Sequence, residues 1–500
     1  MLIRPSDADL RLIAYYLGKA LLGIGIMMVP PFVVALLLGE FDSASALGVG
    51  IAVAVGVWQF AEWRWQSRAA LSWSHGLVIV AASWLFGAAI TAIPLALSGH
   101  YVSLLDAYFD AMSGLTTSGL AVVQDLDHMS VSMNLLRHMT HFAGGQGIVI
   151  VLLTMAASSG GDVSTLYFGE GRDERIVPNV VATARFIYLV AGTWLVAGTA
   201  ALWIASMVAG FAPLRGLFHA VSLFMAAFDT GGFAPYSPSV SYYHSAMVES
   251  VLIVLMVAGA LSFGIHHAMW RRDPRRVWRD SELRTLGLTT TLTIAITVLG
   301  LGYAGAFTHV GPLMRKGVFT VISAHTGTGF GVNAPRLFVT DWGEIAPAVI
   351  VVAMALGGMA SSTAGGIKAV RVGLTAKSVG RDIRRATQPD AAVVVTTWTQ
   401  RHRRIVTDQQ VRSAVTILVL FVLLYLGGAV VGVYYGFPFD QALFESTSAA
   451  ASVGLSVGVL GAAPDALKVV YIIQMWLGRL EFLAVFALLG YGWSLVRGRI

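Results

Sequence analysis

The sequence predicts an all-α polytopic membrane protein: four membrane–pore–membrane repeats in a pseudo-fourfold arrangement around one pore, plus an N-terminal pair of transmembrane helices. Three observations predict it. Hydrophobic residues make up 56% of the 500-residue chain and charged residues only 12%, with a mean hydropathy of +0.73, too few charges to cover a soluble surface of this size. Apolar runs long enough to cross about 30 Å of hydrocarbon recur along the chain, which means helices and not barrel strands. A short motif of small or hydroxylated residues, a glycine and then Leu or Phe returns four times, at Met112–Leu120, Phe228–Phe233, His325–Phe330 and Ala450–Leu455.

The formal net charge of +6 does not point to nucleic acid, because the cations sit in short loops between apolar runs. The absence of cysteine excludes disulfides and thiolate chemistry and leaves the compartment open. The first apolar run is too long for a signal-peptide core and is read as a retained span. No nucleophile–base pair, paired carboxylates or nucleotide-binding glycine fingerprint stands out, so the chain is not expected to be an enzyme.

The elements follow in order. Residues 1–70 carry two spans, near 12–38 and 47–66, without a hairpin motif. Repeat one (71–158) has a span near 73–97, a segment Val102–Leu115 too short to cross, the first hairpin and a span near 132–157. Repeat two (159–270) has a span near 183–210, a short helix near 216–228, its hairpin and a span near 243–269. Repeat three (271–372) has 285–307, 313–325, its hairpin and 344–371, and repeat four (373–500) has 413–436, 440–451, its hairpin and 466–496. That makes about ten crossings and four half-crossings. The polar segment 158–182 is expected on the cytoplasmic face and partly helical.

Hairpins so placed can replace a cation's hydration shell with rings of main-chain carbonyls, without a fixed full charge. Glycine reaches the required backbone angles cheaply and lets the hairpins pack closely. Each short helix ends at its hairpin, so its negative dipole end faces the ion. The expected K+ filter is therefore Thr117, Ser118 and Gly119; Thr230, Gly231 and Gly232; Gly327, Thr328 and Gly329; and Ser452, Val453 and Gly454. The hydroxyls of Thr117, Ser118, Thr230, Thr328 and Ser452 are expected to anchor the hairpins. A single such motif more often marks helix packing; four between half-length and full-length helices are far more specific.

Aligned on the hairpins, the second helices bring Ala143-Gly144-Gly145, Ala258-Gly259-Ala260, Leu356-Gly357-Gly358 and Leu477-Gly478-Arg479 into register. Arg479 thus replaces a small residue in mid-span, at a cost of roughly 3 kcal/mol on insertion scales. It is read as a pore-facing cation below the filter; the alternatives are an ion pair with Glu481 or snorkelling. In repeat three, Gly357, Gly358, Ser361, Ser362, Thr363, Gly365 and Gly366 would make a poor continuous helix. A broken helix carrying a gating loop under the filter is the expectation, with Lys368 pinning it; the alternative is a glycine-rich packing face. Arg137 could brace the filter by hydrogen-bonding hairpin carbonyls, or snorkel. His138, His141, His266 and His267 are read as packing residues.

Orientation follows from cations in short loops. Arg271–Arg284 and Arg371–Arg404 carry the largest groups, with Arg4, Arg11, Arg497 and Arg499 on the same side, while Arg215, Arg315, Lys316, Arg336 and Lys468 are exceptions on the filter side. Both termini are expected in the cytoplasm.

At Ala111–Gly119, Phe142–Ile148, Gly357–Lys368 and Leu477–Glu481 the chain resembles the Trk/Ktr/HKT superfamily of cation transport proteins. The extra N-terminal pair is similar to the TrkH branch and unlike the Ktr branch. The resemblance implies a K+ uptake protein of the bacterial inner membrane, a homodimer with one pore per subunit, and a cytoplasmic regulator-of-conductance ring of the TrkA type. NAD(H) or ATP/ADP would bind that partner, not this chain. It implies Gly357–Gly366 as the gating loop, Arg479 as the pore arginine, and K+ preference from glycine at all four ring positions. Ala451 and Val453 depart from the family by lacking hydroxyls. An ion-coupled secondary transporter of a small solute, a cation transporter that does not discriminate K+ from Na+, and a non-conducting scaffold are the alternatives; the first needs a midplane carboxylate for which no strong candidate stands out.

Overall fold

A computed structural model describes residues 5–67, 69, 71–123, 125–147, 180–389, 394–400 and 403–498. The expected segment 158–182 lies outside the described residues up to 179. The described residues are mostly helical, and they include six single helices long and apolar enough to cross a membrane.

The N-terminal pair, Asp7–Leu38 and Phe41–Trp65, forms a tight antiparallel hairpin. Ser6 and Asp9 build a reciprocal cap at its start, and Gly39, at φ 73°, closes the first helix by donating to Ala35 and Leu36 carbonyls. Small residues bring the two helices together, Gly18 facing Ala61 and Gly25 facing Ala54. The pair is tied to repeat one by Glu40, whose carboxylate accepts from the Val131 and Ser132 amides at 2.9 and 3.0 Å. That places an anion at the positive end of helix Val131–Gln146.

Each repeat then supplies a long first helix and a half-length one: Trp73–Leu97 with Leu104–Leu115, Val180–Val208 with Pro213–Phe228, Ser281–Tyr303 with Val310–His325, and Asp408–Tyr434 with Phe439–Ala450. Twelve to sixteen residues at 1.5 Å rise cannot cross about 30 Å of hydrocarbon, so these four helices enter and stop.

The second helices depart from expectation. Unbroken spans are predicted for repeats two and four; instead Ala246–Ala260 turns by 105° into Phe263–Trp270, and Asp465–Arg479 by 111° into Leu483–Arg497. In repeat two Ser262 caps the new helix through the Ile265 amide at 3.3 Å. In repeat four Glu481 and Phe482 adopt φ of 51° and 71°, a left-handed stretch that ends the helix. The expected break in repeat three is present: Ile345–Ala355 stops, an irregular stretch follows, and Ala369–Ala386 resumes. Helix Val131–Gln146 of repeat one ends at Gly147, beyond which the description stops.

A further element was not expected from the sequence. Thr397–Thr399 pairs antiparallel with Arg403–Ile405 in a small two-stranded sheet. Trp398 is buried against Gly373 of helix Ala369–Ala386, and Lys377 of that helix donates to the Thr397 carbonyl at 2.7 Å.

Candidate ion-conduction site

All four half-length helices end in the same main-chain closure. The amides of Thr117, Thr230, Gly327 and Ser452 donate three residues back, and those of Ser118, Gly231, Thr328 and Val453 five residues back. This pair of bonds is a Schellman motif, and it requires a left-handed residue at the first position. Three of these are not glycine: Thr117, Thr230 and Ser452 take φ of 53°, 51° and 54°, a strained choice for residues with a Cβ. Two residues on, Gly119, Gly232, Gly329 and Gly454 are again left-handed, at 72°, 77°, 82° and 98°.

These glycines form a closed ring. A Cβ added to Gly119 would strike the Gly231 carbonyl, one on Gly232 the Thr328 carbonyl, one on Gly329 the Val453 carbonyl, and one on Gly454 the Ser118 carbonyl, each closer than 3.0 Å. The order runs one, two, three, four and back to one, with a main-chain oxygen of each repeat against the glycine of its neighbour. A side chain there would have to push the neighbouring carbonyl out of its place in the ring.

Behind this shared backbone the repeats pack differently. Thr116 and Ser118 pair their hydroxyls at 2.9 Å, and Thr326 and Thr328 do the same at 2.9 Å. In repeat two Asp229 and Gly231 take these places: the Asp229 carboxylate accepts from Gln146 at 2.7 Å, and Gly231 lies against the His141 ring, which stacks on Phe233. In repeat four Ala451 and Val453 are buried in an apolar cluster with Phe338, Phe421 and Phe444. The expected hydroxyl anchors are thus corrected. Ser118 and Thr328 anchor their hairpins, with Thr116 and Thr326 as partners the sequence reading missed. Thr230 donates to the Asp229 carbonyl of its own hairpin at 2.8 Å and also meets Thr363 at 3.3 Å, Thr117 turns toward what lies beneath, and the Ser452 hydroxyl has no hydrogen-bond partner among the described residues.

What lies beneath is the irregular stretch of repeat three. Its base is pinched by a parallel bridge between Leu356 and Ile367, with Gly357 donating to the Ile367 carbonyl at 2.9 Å. Its tip satisfies the helix break of repeat two: Met359 donates to the Ala260 carbonyl, Thr363 to the Gly259 carbonyl, and Phe263 to the Ser361 carbonyl at 3.0, 3.2 and 3.2 Å. That exchange explains why the helix of repeat two cannot run on. Thr363 Oγ1 also donates to the last carbonyl of the second pore helix, Phe228, at 2.9 Å. Gly365 lies against the Ala451 carbonyl and the Ser452 side chain, and Gly358 against Ala364 and Ala260. Ser362 holds the turn through the Met359 carbonyl at 2.6 Å, Gly366 supplies a φ of 69°, and Lys368 is buried with its ammonium on the Ala364 carbonyl. The unbroken packing face is therefore excluded.

Arg479 joins these parts. Its guanidinium donates to Thr117 Oγ1 at 3.1 Å, the Thr363 carbonyl at 2.7 Å and the Gly144 carbonyl at 2.6 Å. It neither pairs with Glu481 nor snorkels; Glu481 binds Arg371, just after the loop. Gly144, Gly259 and Gly478 each press against the last carbonyl of their own pore helix, at Leu115, Phe228 and Ala450, so three of the aligned small positions bring the second helices to the base of the ring. Gly357 instead faces Gly365 across the loop.

Arg137 is 1% exposed, so it does not snorkel. It does not reach the hairpin carbonyls in the expected way either. Its Nε donates to Asp110 at 2.7 Å, its guanidinium lies 4.0 Å from the Phe233 ring centroid, and Asp110 also accepts from Tyr101 at 2.8 Å. His138 bonds the Asn134 carbonyl and His266 the Ala258 carbonyl. Three cations that break the charge asymmetry are tied down on the ring's flank: Arg315 to Glu249, Lys468 to Asp106, and Arg215 to Tyr236 and Tyr242.

A ring of re-entrant hairpins inside a helical membrane domain defines a membrane–pore–membrane protein. Residues 49–489 match the TrkH family of cation transport proteins, and the chain belongs to that family. It is 29% identical over 498 residues to the Trk system potassium uptake protein TrkH of Halomonas elongata, covering 96% of this chain and 98% of that protein. An uncharacterized cation transporter of Methanocaldococcus jannaschii is 27% identical over 97% of this chain and 96% of its own length. The crystal structure of the potassium transporter TrkH from Vibrio parahaemolyticus superposes with a TM-score of 0.82 over 96% of this chain and 98% of that one, at 23% identity.

Proposed function

We propose that this chain is the membrane subunit of a K+ uptake system: a K+-selective, channel-like transporter conducting through the ring of hairpin carbonyls. The observation that carries the reading is the closed ring of Gly119, Gly232, Gly329 and Gly454, with a loop and an arginine packed directly beneath. Relatives named for potassium uptake along nearly their whole length support it. A monovalent cation entering the ring exchanges water for main-chain oxygens, while the four pore-helix C-termini lend it negative potential. The segment 357–368 and Arg479 then obstruct the way inward and act as the gate. Both termini lie in the cytoplasm of a bacterial inner membrane, where a nucleotide-binding regulator ring would engage a homodimer.

Rb+ or K+ uptake by the purified protein in liposomes tests this, with Na+ run in parallel. Wild-type protein passes K+ in preference to Na+. Arg479→Ala raises uptake about tenfold, since a fixed positive charge near a permeating cation costs roughly 1–4 kcal/mol at close range. Absence of cation flux in the wild type, or unchanged flux in the variant, contradicts the reading.

A further inference from the structure

Glu282 opens helix Ser281–Tyr303, yet its carboxylate does not serve that helix. Asp280 caps the helix, accepting from the Glu282 and Leu283 amides at 2.9 Å each. Glu282 is 1% exposed. Its Oε1 accepts from the Ala360 amide, inside the loop under the ring, at 2.6 Å and from the Val370 amide, just beyond the loop, at 3.1 Å. Its Oε2 accepts from Gln400 Nε2 at 3.1 Å. Gln400 follows the strand Thr397–Thr399, and that strand is pinned to the same helix start by the Thr399 amide on Ser281 Oγ at 3.1 Å.

We propose that Glu282 is the positioning residue that clasps the two sides of the gating loop and couples them, through Gln400, to the small sheet at the loop's cytoplasmic side. This rests on the conduction reading above. A buried carboxylate is held by charge-assisted hydrogen bonds, roughly twice as strong as neutral ones. The amides of Ala360 and Val370 sit ten positions apart in the chain yet share one oxygen, so the loop cannot straighten without releasing it. The second strand of the sheet, Arg403–Ile405, is exposed along its length. A displacement of the sheet therefore reaches the loop through two hydrogen bonds, Gln400 to Glu282 and Glu282 to Ala360.

The test uses full-length protein in liposomes and reads two quantities, initial Rb+ uptake and the K+ over Na+ preference. Glu282→Ala, which removes all three hydrogen bonds of the clasp, is expected to raise uptake at least about tenfold, the shift that even one lost charged hydrogen bond gives, with the ion preference kept. Gln400→Leu, which cuts only the outer link, is expected to raise it less. A purely structural role would lower uptake or erode the preference instead, and either result overturns the proposal. Because the chain has no cysteine, Ser361→Cys adds a single thiol at a buried loop position. A cationic, membrane-impermeant thiol reagent should label it several-fold faster when Glu282→Gln is also present, and equal labelling overturns the clasp should Glu282→Ala fail to fold. Wild-type protein that carries no Rb+ would instead sink the conduction reading itself.

Discussion

Arg137 and Asp110 sit at the level where single side chains decide stability. Both are almost wholly buried, and the guanidinium is sandwiched between the carboxylate and the Phe233 ring, one residue past the ring glycine of repeat two. Truncating one member of such a pair leaves an uncompensated charge and costs about 3–5 kcal/mol, whereas replacing both with apolar residues costs far less. Arg137→Ala should therefore lower the unfolding temperature in detergent sharply, and Arg137→Met with Asp110→Leu should recover much of it; equal loss in both would rule the pair out as the cause. The ring glycines were legible in the sequence because backbone geometry alone demands them. The partner of Arg137 was not: Asp110 lies 27 positions earlier, on another helix, and no periodicity links the two. Thr116 and Thr326 were missed for a milder reason. Each stands one place before the residues aligned on glycine, and only the closed backbone turns its hydroxyl toward position i+2.

Helix breaks are decided at the scale of the element. Two Gly-Gly pairs around Ser-Ser-Thr announced the loop of repeat three, since such a run disfavours helix. Repeats two and four gave weaker signals. Ser262 is an N-cap residue inside an apolar run, a legible cue, while Leu480-Glu481-Phe482 has no glycine or proline, and the groups that hold its break, Thr363 on Arg479 and Arg371 on Glu481, are distant in the chain. The small sheet had a cue as well, the β-branched and aromatic run 393–399, set among charged residues ahead of the first helix of repeat four. The element also sets a packing limit. Gly478 touches the Ala450 carbonyl at the end of the fourth pore helix, so Gly478→Val must push the second helix away. Overpacking of this kind costs typically 1–3 kcal/mol, and the displaced Arg479 should lose its hold on Thr363. Thermal unfolding together with Rb+ uptake checks this: lowered stability with raised uptake is expected, and wild-type values for both would mean the contact is not tight.

Across the whole molecule, the contacts between repeats close into one cycle. Asn134 donates to the Pro235 carbonyl between repeats one and two, Val240 to the Gly331 carbonyl between two and three, and Trp476 to the Ala81 carbonyl between four and one, at 2.8, 3.0 and 3.1 Å, and Arg371 donates to the Glu481 carboxylate between three and four. The ion pairs Arg315–Glu249 and Lys468–Asp106 lie on two of the same seams. Repeat number and order were readable from the spacing of four short motifs, because each repeat must spend a half-length helix to reach the ring. The cyclic closure itself was not, because it rests on contacts between segments roughly 100 residues or more apart, where sequence pattern carries no register. The most direct measurement of the central claim is the K+/Na+ permeability ratio under bi-ionic conditions, for wild-type protein and for serine at each ring glycine in turn. The account predicts K+ preference in the wild type, weakened by Gly119→Ser, Gly232→Ser, Gly329→Ser and Gly454→Ser alike. A wild type that does not discriminate, or four variants that keep the wild-type ratio, would contradict it.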